Sequence, residues 1–256
     1  MYVAHLSDLH ICALEKSRTL RVRRLVDKVN GLSILPKFVV VTGDLVDEDV
    51  LENYDICFNE LNRLSVPYYV VMGNHDKFEG LRGVIEKYCP NHPKSEDSES
   101  LSYEVDFGSL KMIVIDNSEE FVLDINKFKS RHSWLEEKLK SSDKPVLLAC
   151  HKPLSKTNMM YFDEYYDRAF DVLASLVSKY KEKIKLIISG HVHNSMVNCV
   201  GGVSVVSTFS PAYRLNMDFE EESLFLSEEV FSAFHVHYFG KDGFLSYVVP
   251  VSMEKI

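Results

Sequence analysis

An α/β fold is what this sequence predicts, with two β-rich layers covered by helices on their outer sides. Three observations carry that expectation. Short apolar runs rich in Val, Ile and Leu alternate with helix-period stretches through the first third, which favours parallel strands joined by crossovers. Glycine-marked hairpin signals follow after residue 100 and recur towards the end, which adds antiparallel strands. The chain has 256 residues and 46% hydrophobic content, enough for one large core and too little for two comfortable ones, so a single domain over residues 1–256 is expected.

The elements follow in order. Tyr2-Val3-Ala4-His5-Leu6 is a first strand, and it ends at Ser7-Asp8-Leu9-His10. Residues 19–32 place Leu20, Val22, Leu25, Val26, Val29 and Leu32 at helical spacing, with Arg21, Arg24 and Lys28 on the other face. Gly31 and Pro36 close that unit before the strand 38–42. A second helix is expected over 50–64. Pro67 then opens the strand 68–72, which ends at Gly73-Asn74-His75-Asp76. Residues 78–88 predict a third helix, and 91–100, polar and holding Pro93, a surface loop. Residues 101–107 and 110–116 predict a hairpin about Gly108-Ser109.

The connection 117–128 has no assignable pattern. A helix over 130–139 is expected, with Ser130 as its N-cap and Trp134, Leu135 and Leu139 facing inward. The strand 145–150 stops at His151, and 152–163 predicts a loop over the site. Residues 166–180 carry the helical stripe Phe170, Leu173, Ala174, Val177. The strand 185–189 runs into Gly190-His191-Val192-His193. A hairpin over 195–200 and 203–208 turns at Gly201-Gly202, and 211–216 is a loop. The acidic stretch 218–229 predicts a solvated surface segment. A last hairpin pairs 230–239 with 244–249, and its His235-Val236-His237 reads as ordinary strand residues.

Composition narrows the function classes. The formal net charge is −9, which disfavours capture of long nucleic acid, a task that needs many Lys and Arg on one face. A small anionic substrate stays compatible, because metal ions supply local positive charge. Five cysteines are scattered with no CxxC spacing, as in reduced thiols of a cytosolic protein. Met1 leads directly into a strand, and no apolar run approaches the length of a membrane span, so a cytoplasmic location without membrane insertion is expected.

The chemistry gathers around Gly43-Asp44-Leu45-Val46-Asp47. A carboxylate at the C-terminal tip of a buried strand stands at the mouth of an open α/β sheet, where ligands bind. Its two oxygens allow one residue to bridge two cations. Asp8-x-His10, Gly73-Asn74-His75-Asp76, His151 and Gly190-His191-x-His193 stand at equivalent strand ends. Together they offer carboxylate, imidazole and amide oxygen without a thiolate, a set suited to Zn, Mn, Fe, Co or Ni. Two such ions about 3.5–4 Å apart activate water and neutralise phosphoryl oxygens. A bend at the strand end lets His191 and His193 diverge to different ions. Each motif is weak by itself; five in this order, each after an apolar strand, are specific.

The order of motifs resembles the calcineurin-like metallophosphoesterase superfamily over residues 3–193. The resemblance implies a four-layer α/β/β/α sandwich of two mixed β-sheets flanked by helices. It implies that Asp8, His10 and His193 bind one divalent or trivalent transition-metal ion (Mn, Fe, Zn, Co or Ni), that Asn74, His151 and His191 bind a second, and that Asp44 bridges them. His75 becomes the catalytic histidine at the leaving group, and a metal-bound hydroxide the nucleophile. Asp47 and Asp76 stand behind the ligands, with Asp76 accepting a hydrogen bond from His75 and so fixing its tautomer. Class III cyclic-nucleotide phosphodiesterases and glycerophosphodiesterases are the most similar branches. The expected substrate is therefore a small phosphodiester or phosphomonoester. His151-Lys152-Pro153 departs from a pattern with a second histidine and paired prolines. Lys152 either meets a substrate phosphate or faces solvent, and Asn74, His75 and Arg214 are further candidate substrate contacts. The alternatives are a nuclease of the same superfamily, using Arg18, Arg21, Arg23, Arg24 and Lys28 as a basic strip, and a non-catalytic scaffold. The sequence leaves the oligomeric state open.

Overall fold

The computed structural model describes residues 1–95, 100–118, 125–163, 167–215, 226–227, 232–241 and 243–252, with the backbone alone at 125–128, 167–170 and 226–227. The first third runs β1 (Tyr2–Leu6), α1 (Lys16–Asn30), β2 (Phe38–Val41), α2 (Leu51–Leu61), β3 (Tyr68–Val70) and α3 (Phe78–Tyr88). A hairpin follows, β4 (Tyr103–Asp106) and β5 (Lys111–Val114), and then α4 (Ile125–Ser141), β6 (Val146–Ala149), the single turn α5 (Met160–Asp163), α6 (Asp167–Lys179) and β7 (Ile184–Ser189). The remainder is strand: β8 (Met196–Val200), β9 (Val203–Ser207), β10 (Arg214–Leu215), β11 (Leu226–Ser227), β12 (Ala233–Gly240) and β13 (Gly243–Pro250).

Two mixed sheets result. One has the order β13-β12-β1-β2-β3, parallel through β1, β2 and β3 and antiparallel at the β12–β13 end. The other has the order β4-β5-β6-β7-β9-β8, with parallel β5, β6, β7 and β9 between antiparallel edges. The central strands read as continuous apolar runs, such as Phe-Val-Val-Val in β2 and Val-Leu-Leu-Ala in β6, because both faces are covered.

Side-chain alternation sorts the second sheet into an inner and an outer face. Met112, Val114, Leu147, Ala149, Leu186 and Ile188 join one core with the first sheet, which α1, α2 and α3 cover through Val22, Leu25, Phe58, Leu61 and Leu81. Ile113, Ile115, Val146, Leu148 and Cys150 turn the other way, onto Leu135 and Leu139 of α4 and Leu173, Leu176 and Val177 of α6. The layers are therefore helix, sheet, sheet, helix, as expected.

Several local expectations change. Ser130 is no N-cap: α4 begins at Ile125, so Ser130 lies within its second turn. Loop 152–163 contains α5, and loop 211–216 contains β10, which pairs with β11. Apart from the β11 backbone, the acidic stretch 218–229 lies outside the described residues. His235 and His237 are buried. His237 meets His5 at 3.2 Å and Ser246 at 2.7 Å, while His235 meets Thr208 at 3.0 Å. No described helix is long and apolar enough to cross a membrane.

Candidate metal centre

Every expected ligand lies at the C-terminal end of a parallel strand or in the loop just beyond it. Backbone hydrogen bonds tie these loops together past the strands. Asp8 N–H donates to Gly43 C=O at 3.0 Å, His10 N–H to Asp44 C=O at 3.0 Å, and Gly190 N–H to His151 C=O at 2.8 Å. Asp8, His10, Asp44, His191 and His193 all take left-handed backbone, with φ of 52°, 42°, 50°, 70° and 56°. This breaks the alternation of an extended strand, so residues two apart no longer share a face.

Two glycines make the close approach possible. A Cβ on Gly73 would lie 2.2 Å from Asp44 N and Oδ1, and one on Gly190 would lie 1.9 Å from Ser7 Oγ. Neither position has room for any side chain.

Among the described residues the donor atoms of the expected ligands form two groups that share Asp44, and His10, Asp47 and His75 form a third cluster beside them. Asp8, His10, Asp44 and His193 make the first group, and Asp44, His151 and His191 the second. Asn74 Oδ1 is 3.0 Å from His151 Nε2, which places it beside the second group. The sequence motif His191-x-His193 thus splits between the two. All seven expected metal ligands converge on one region.

Hydrogen bonds set the tautomers. His10 Nδ1–H donates to Asp47 Oδ1 at 3.1 Å, His151 Nδ1–H to Thr42 C=O at 2.7 Å, and His193 Nδ1–H to Tyr213 C=O at 3.1 Å. In its neutral form each ring presents an Nε2 lone pair inward. His10 Nε2 and His193 Nε2 face each other at 3.1 Å, an arrangement of two acceptors that calls for a cation between them. His191 Nδ1 is buried with no hydrogen-bond partner. An orphaned buried acceptor beside Asp44 and His151 is what a metal ligand looks like without its metal. The donor set and this orphan atom fit a metal centre.

The buried charges act strongly on one another. Burial, with Asp44 alongside, raises the Asp8 carboxyl to about 6. Burial pushes His151 down, but the Asp44 and Asp8 carboxylates outweigh it and lift His151 to about 9. Burial likewise pushes Asp44 up, yet His151, His10 and His75 together hold it well below the usual carboxylate range. Burial lowers His191 and His193 well below an ordinary imidazole, helped by His151 and His10 respectively.

Asp76 needs correction. Its carboxylate accepts from Gly73 N–H at 2.9 Å and Leu45 N–H at 3.2 Å, and it is buried. The His75 ring instead donates Nδ1–H to the Asp47 backbone carbonyl at 2.8 Å, which fixes the tautomer. Asp76 thus holds the loop that carries His75, not the ring. Lys152 is buried, so the solvent-facing alternative fails. Arg214 sits on β10, with Nε donating to Asn194 Oδ1 at 3.2 Å. The basic strip is largely occupied: Arg18 pairs with Asp47 at 2.9 Å, Arg21 donates to Ala212 C=O at 2.6 Å, and Arg23 pairs with Glu60.

Sequence reasoning places residues 207–216 near the pocket but singles out only Arg214 there, and it does not single out three supporting residues, Asn117, Ser210 and Tyr213. Asn117 accepts from His151 N–H at 3.1 Å and Lys152 N–H at 3.0 Å, and returns a bond to Lys152 C=O at 2.8 Å. Ser210 Oγ–H donates to Asp8 C=O at 2.7 Å. The Tyr213 ring packs 4.5 Å from that of His193 and 5.0 Å from that of His10. Asn117 and Ser210 each lie just past an apolar parallel strand, the same signal that exposed the ligands.

The profile of the calcineurin-like phosphoesterase family matches residues 1–195. The probable glycerophosphodiester phosphodiesterase GpdQ of Arcobacter nitrofigilis is 29% identical over 231 residues, covering 87% of this chain and 83% of that protein. A probable cyclic nucleotide phosphodiesterase of Psychrobacter is 26% identical over 178 residues, covering 69% of this chain and 52% of that one. Among solved structures, the purple acid phosphatase of yellow lupin superposes with a TM-score of 0.68 at 16% identity, over 93% of this chain and 49% of that chain. The chain thus spans about half the length of the Psychrobacter and lupin proteins. The lupin likeness speaks for the fold alone.

Proposed function

This chain belongs to the calcineurin-like phosphoesterase family, a family of phosphoric ester hydrolases, and on that premise we propose that it hydrolyses a small phosphodiester with two metal ions. The observation that carries the reading is the meeting of seven donor side chains in two groups that share Asp44. The names of the relatives suggest a glycerophosphodiester or a cyclic nucleotide. When bound, the metal pair supplies a water that ionises at neutral pH and neutralises charge on the phosphoryl oxygens.

The protein's own groups do the rest. Asp47 holds His10 through its carboxylate and His75 through its carbonyl, so one residue sets two rings. His75 keeps its Nε2 for the substrate side, where it stabilises or protonates the leaving oxygen. Asn74 and His75 are half-buried, and Lys152, buried beside His151, adds positive charge next to the phosphate position. Engagement of Arg18, Arg21 and Arg23 within the fold argues against the nuclease alternative. So does the net charge of −9.

The test is hydrolysis by protein reconstituted with each of Mn, Fe, Zn, Co and Ni. Glycerophosphodiesters, 3′,5′-cyclic nucleotides and phosphomonoesters serve as substrates. The expected result is diester cleavage, and His75→Ala should lower kcat by about 10²–10⁴-fold while two metals stay bound. Loss of metal in that variant, or inactivity of the parent with every metal, would count against the proposal.

A further inference from the structure

Strand β13 forms the edge of the five-stranded sheet, and no described strand pairs with its outer side. The parity of its ladder follows from β12. Phe239 exchanges hydrogen bonds with Met1 on the β1 side, at 2.8 Å in each direction. Alternation then turns Gly240, Tyr238, Val236 and Phe234 towards β13, where their partners are Gly243, Leu245, Tyr247 and Val249. Val251 N–H donating to Ser232 C=O at 2.9 Å continues the same parity. The N–H and C=O groups of Phe244, Ser246 and Val248 therefore point away from the sheet.

An edge of this kind is normally guarded by charge, proline or a bulge. Residues 243–250, Gly-Phe-Leu-Ser-Tyr-Val-Val-Pro, carry no charge, although the chain is 26% charged. Leu245 and Tyr247 are each 52% exposed, and Val248 is 46% exposed. The outward groups are also self-complementary. An antiparallel partner strand of the same sequence, related by a two-fold axis through Ser246, sets Ser246 against itself and Phe244 against Val248 of the second copy. All three outward N–H and all three outward C=O groups of each copy are then satisfied. Leu245 meets Tyr247 of the second copy, so every remaining cross-strand pair is apolar. Pro250 falls one step outside this register, where its missing N–H is not required.

The geometry points to β13 as a self-pairing edge, through which two copies of this chain join their five-stranded sheets into one continuous sheet of ten. A second copy fits this edge because, about Ser246, its own sequence sets Phe244 against Val248 and Leu245 against Tyr247, apolar against apolar with no charge opposed, in the isologous geometry of a two-fold contact. Two molecules each of net charge −9 also meet here without opposing like charges. A strand pair this short buries less than the roughly 1,600 Å² of a standard interface, so association in the micromolar range is expected.

Sedimentation velocity on the full chain from about 1 to 100 μM tests this, in the range set by that small area. The parent should pass from monomer to dimer. Val248→Pro, which removes an outward N–H and no bond to β12, should remain monomeric. So should Leu245→Lys/Tyr247→Lys and Leu245→Glu/Tyr247→Glu, each with a Kd raised on the order of a hundredfold by facing like charges. Mixing the Lys and Glu variants should restore the dimer. Circular dichroism checks that each variant is folded. A parent that stays monomeric overturns the proposal, as does a dimer that persists in all three variants or a mixture that fails to associate.

Discussion

Gly190→Ala tests how tightly the ligand loops are packed. The new methyl would sit 1.9 Å from Ser7 Oγ and 2.7 Å from Asp8 Oδ2, whereas Cβ contacts under 3.0 Å are essentially never seen. Something must yield by about 1.1 Å, the difference between 3.0 and 1.9. Gly190 cannot easily retreat, because its N–H is bonded to His151 C=O at 2.8 Å. Ser7 Oγ must then swing off its bond to Thr42 C=O, and Asp8 Oδ2, at 2.7 Å, must also give way although the Asp8 oxygens accept the His191 N–H at 3.0 and 3.1 Å. Losing that charge-assisted bond costs about 1.5–3 kcal/mol, and overpacking adds about 1–3 kcal/mol. The part that falls on the metal-bound state, taken as roughly 3 kcal/mol, weakens metal affinity on the order of a hundredfold. Competition with a chromophoric chelator measures this directly. Gly83→Ala is the control: no atom lies within 4 Å of the added methyl in α3, and helix propensity should make it stabilising by about 1 kcal/mol. If Gly190→Ala bound both metals within about threefold of the parent, the account of Gly190 as a contact point would be wrong.

Three further outcomes follow from the same geometry. Asn117→Ala strips partners from the buried N–H groups of His151 and Lys152 and should cost about 2–4 kcal/mol in denaturant unfolding, with weakened binding at the second metal group. Without metal, His151 titrates at about 9 and Asp8 at about 6, so metal binding at pH 7.5 should expel about one proton. Below about pH 6 a second proton competes and affinity should fall more steeply; calorimetry in two buffers of different ionisation enthalpy counts the protons, and pH-independent affinity would contradict this. Burial lowers His235 to about 4, below its unfolded value near 6.5, so the unfolded chain binds that proton first. Stability from this group is whole above about pH 6.5 and is lost as pH falls towards 4. His235→Asn should therefore flatten the acid limb of the stability curve by up to about 1.4 kcal/mol per pH unit, and an unchanged slope would exclude it.

Much of the fold and site was legible because one physical rule repeats. A polar residue at the tip of an apolar parallel strand is conspicuous, and Asp8, Asp44, Asn74, His151 and His191 each obey it. The hairpin turns were legible through glycine, as at Gly108 (φ 84°) and Gly201 (φ 56°). Other features left weaker traces. Ser130 resembled a cap because serine at a helix start and serine inside a helix look alike in sequence. Sequence proximity pairs Asp76 with its neighbour His75, but adjacent residues in a bent loop point apart, and the Asp76 carboxylate accepts from the backbone N–H groups of Gly73 and Leu45 instead. Tyr213 belongs to no motif; only the packing of β9 and the loop after it brings its ring against His10 and His193.

The left-handed backbone at five ligand positions restricts the amino-acid alphabet of the site. Asp and His are among the few non-glycine residues that enter this region with any frequency, and they are also metal donors. Each position is thus filtered twice, by coordination chemistry and by torsional tolerance. Glutamate offers the same carboxylate as aspartate but lacks that torsional ease, so lengthening Asp8 or Asp44 by one methylene disturbs the main chain as well as the donor distance. Histidine-to-cysteine exchange, attractive for changing metal preference, meets the same barrier at positions 10, 191 and 193. Retuning this centre for another ion is therefore easier at Asn74 or His151, whose backbones lie outside the left-handed set.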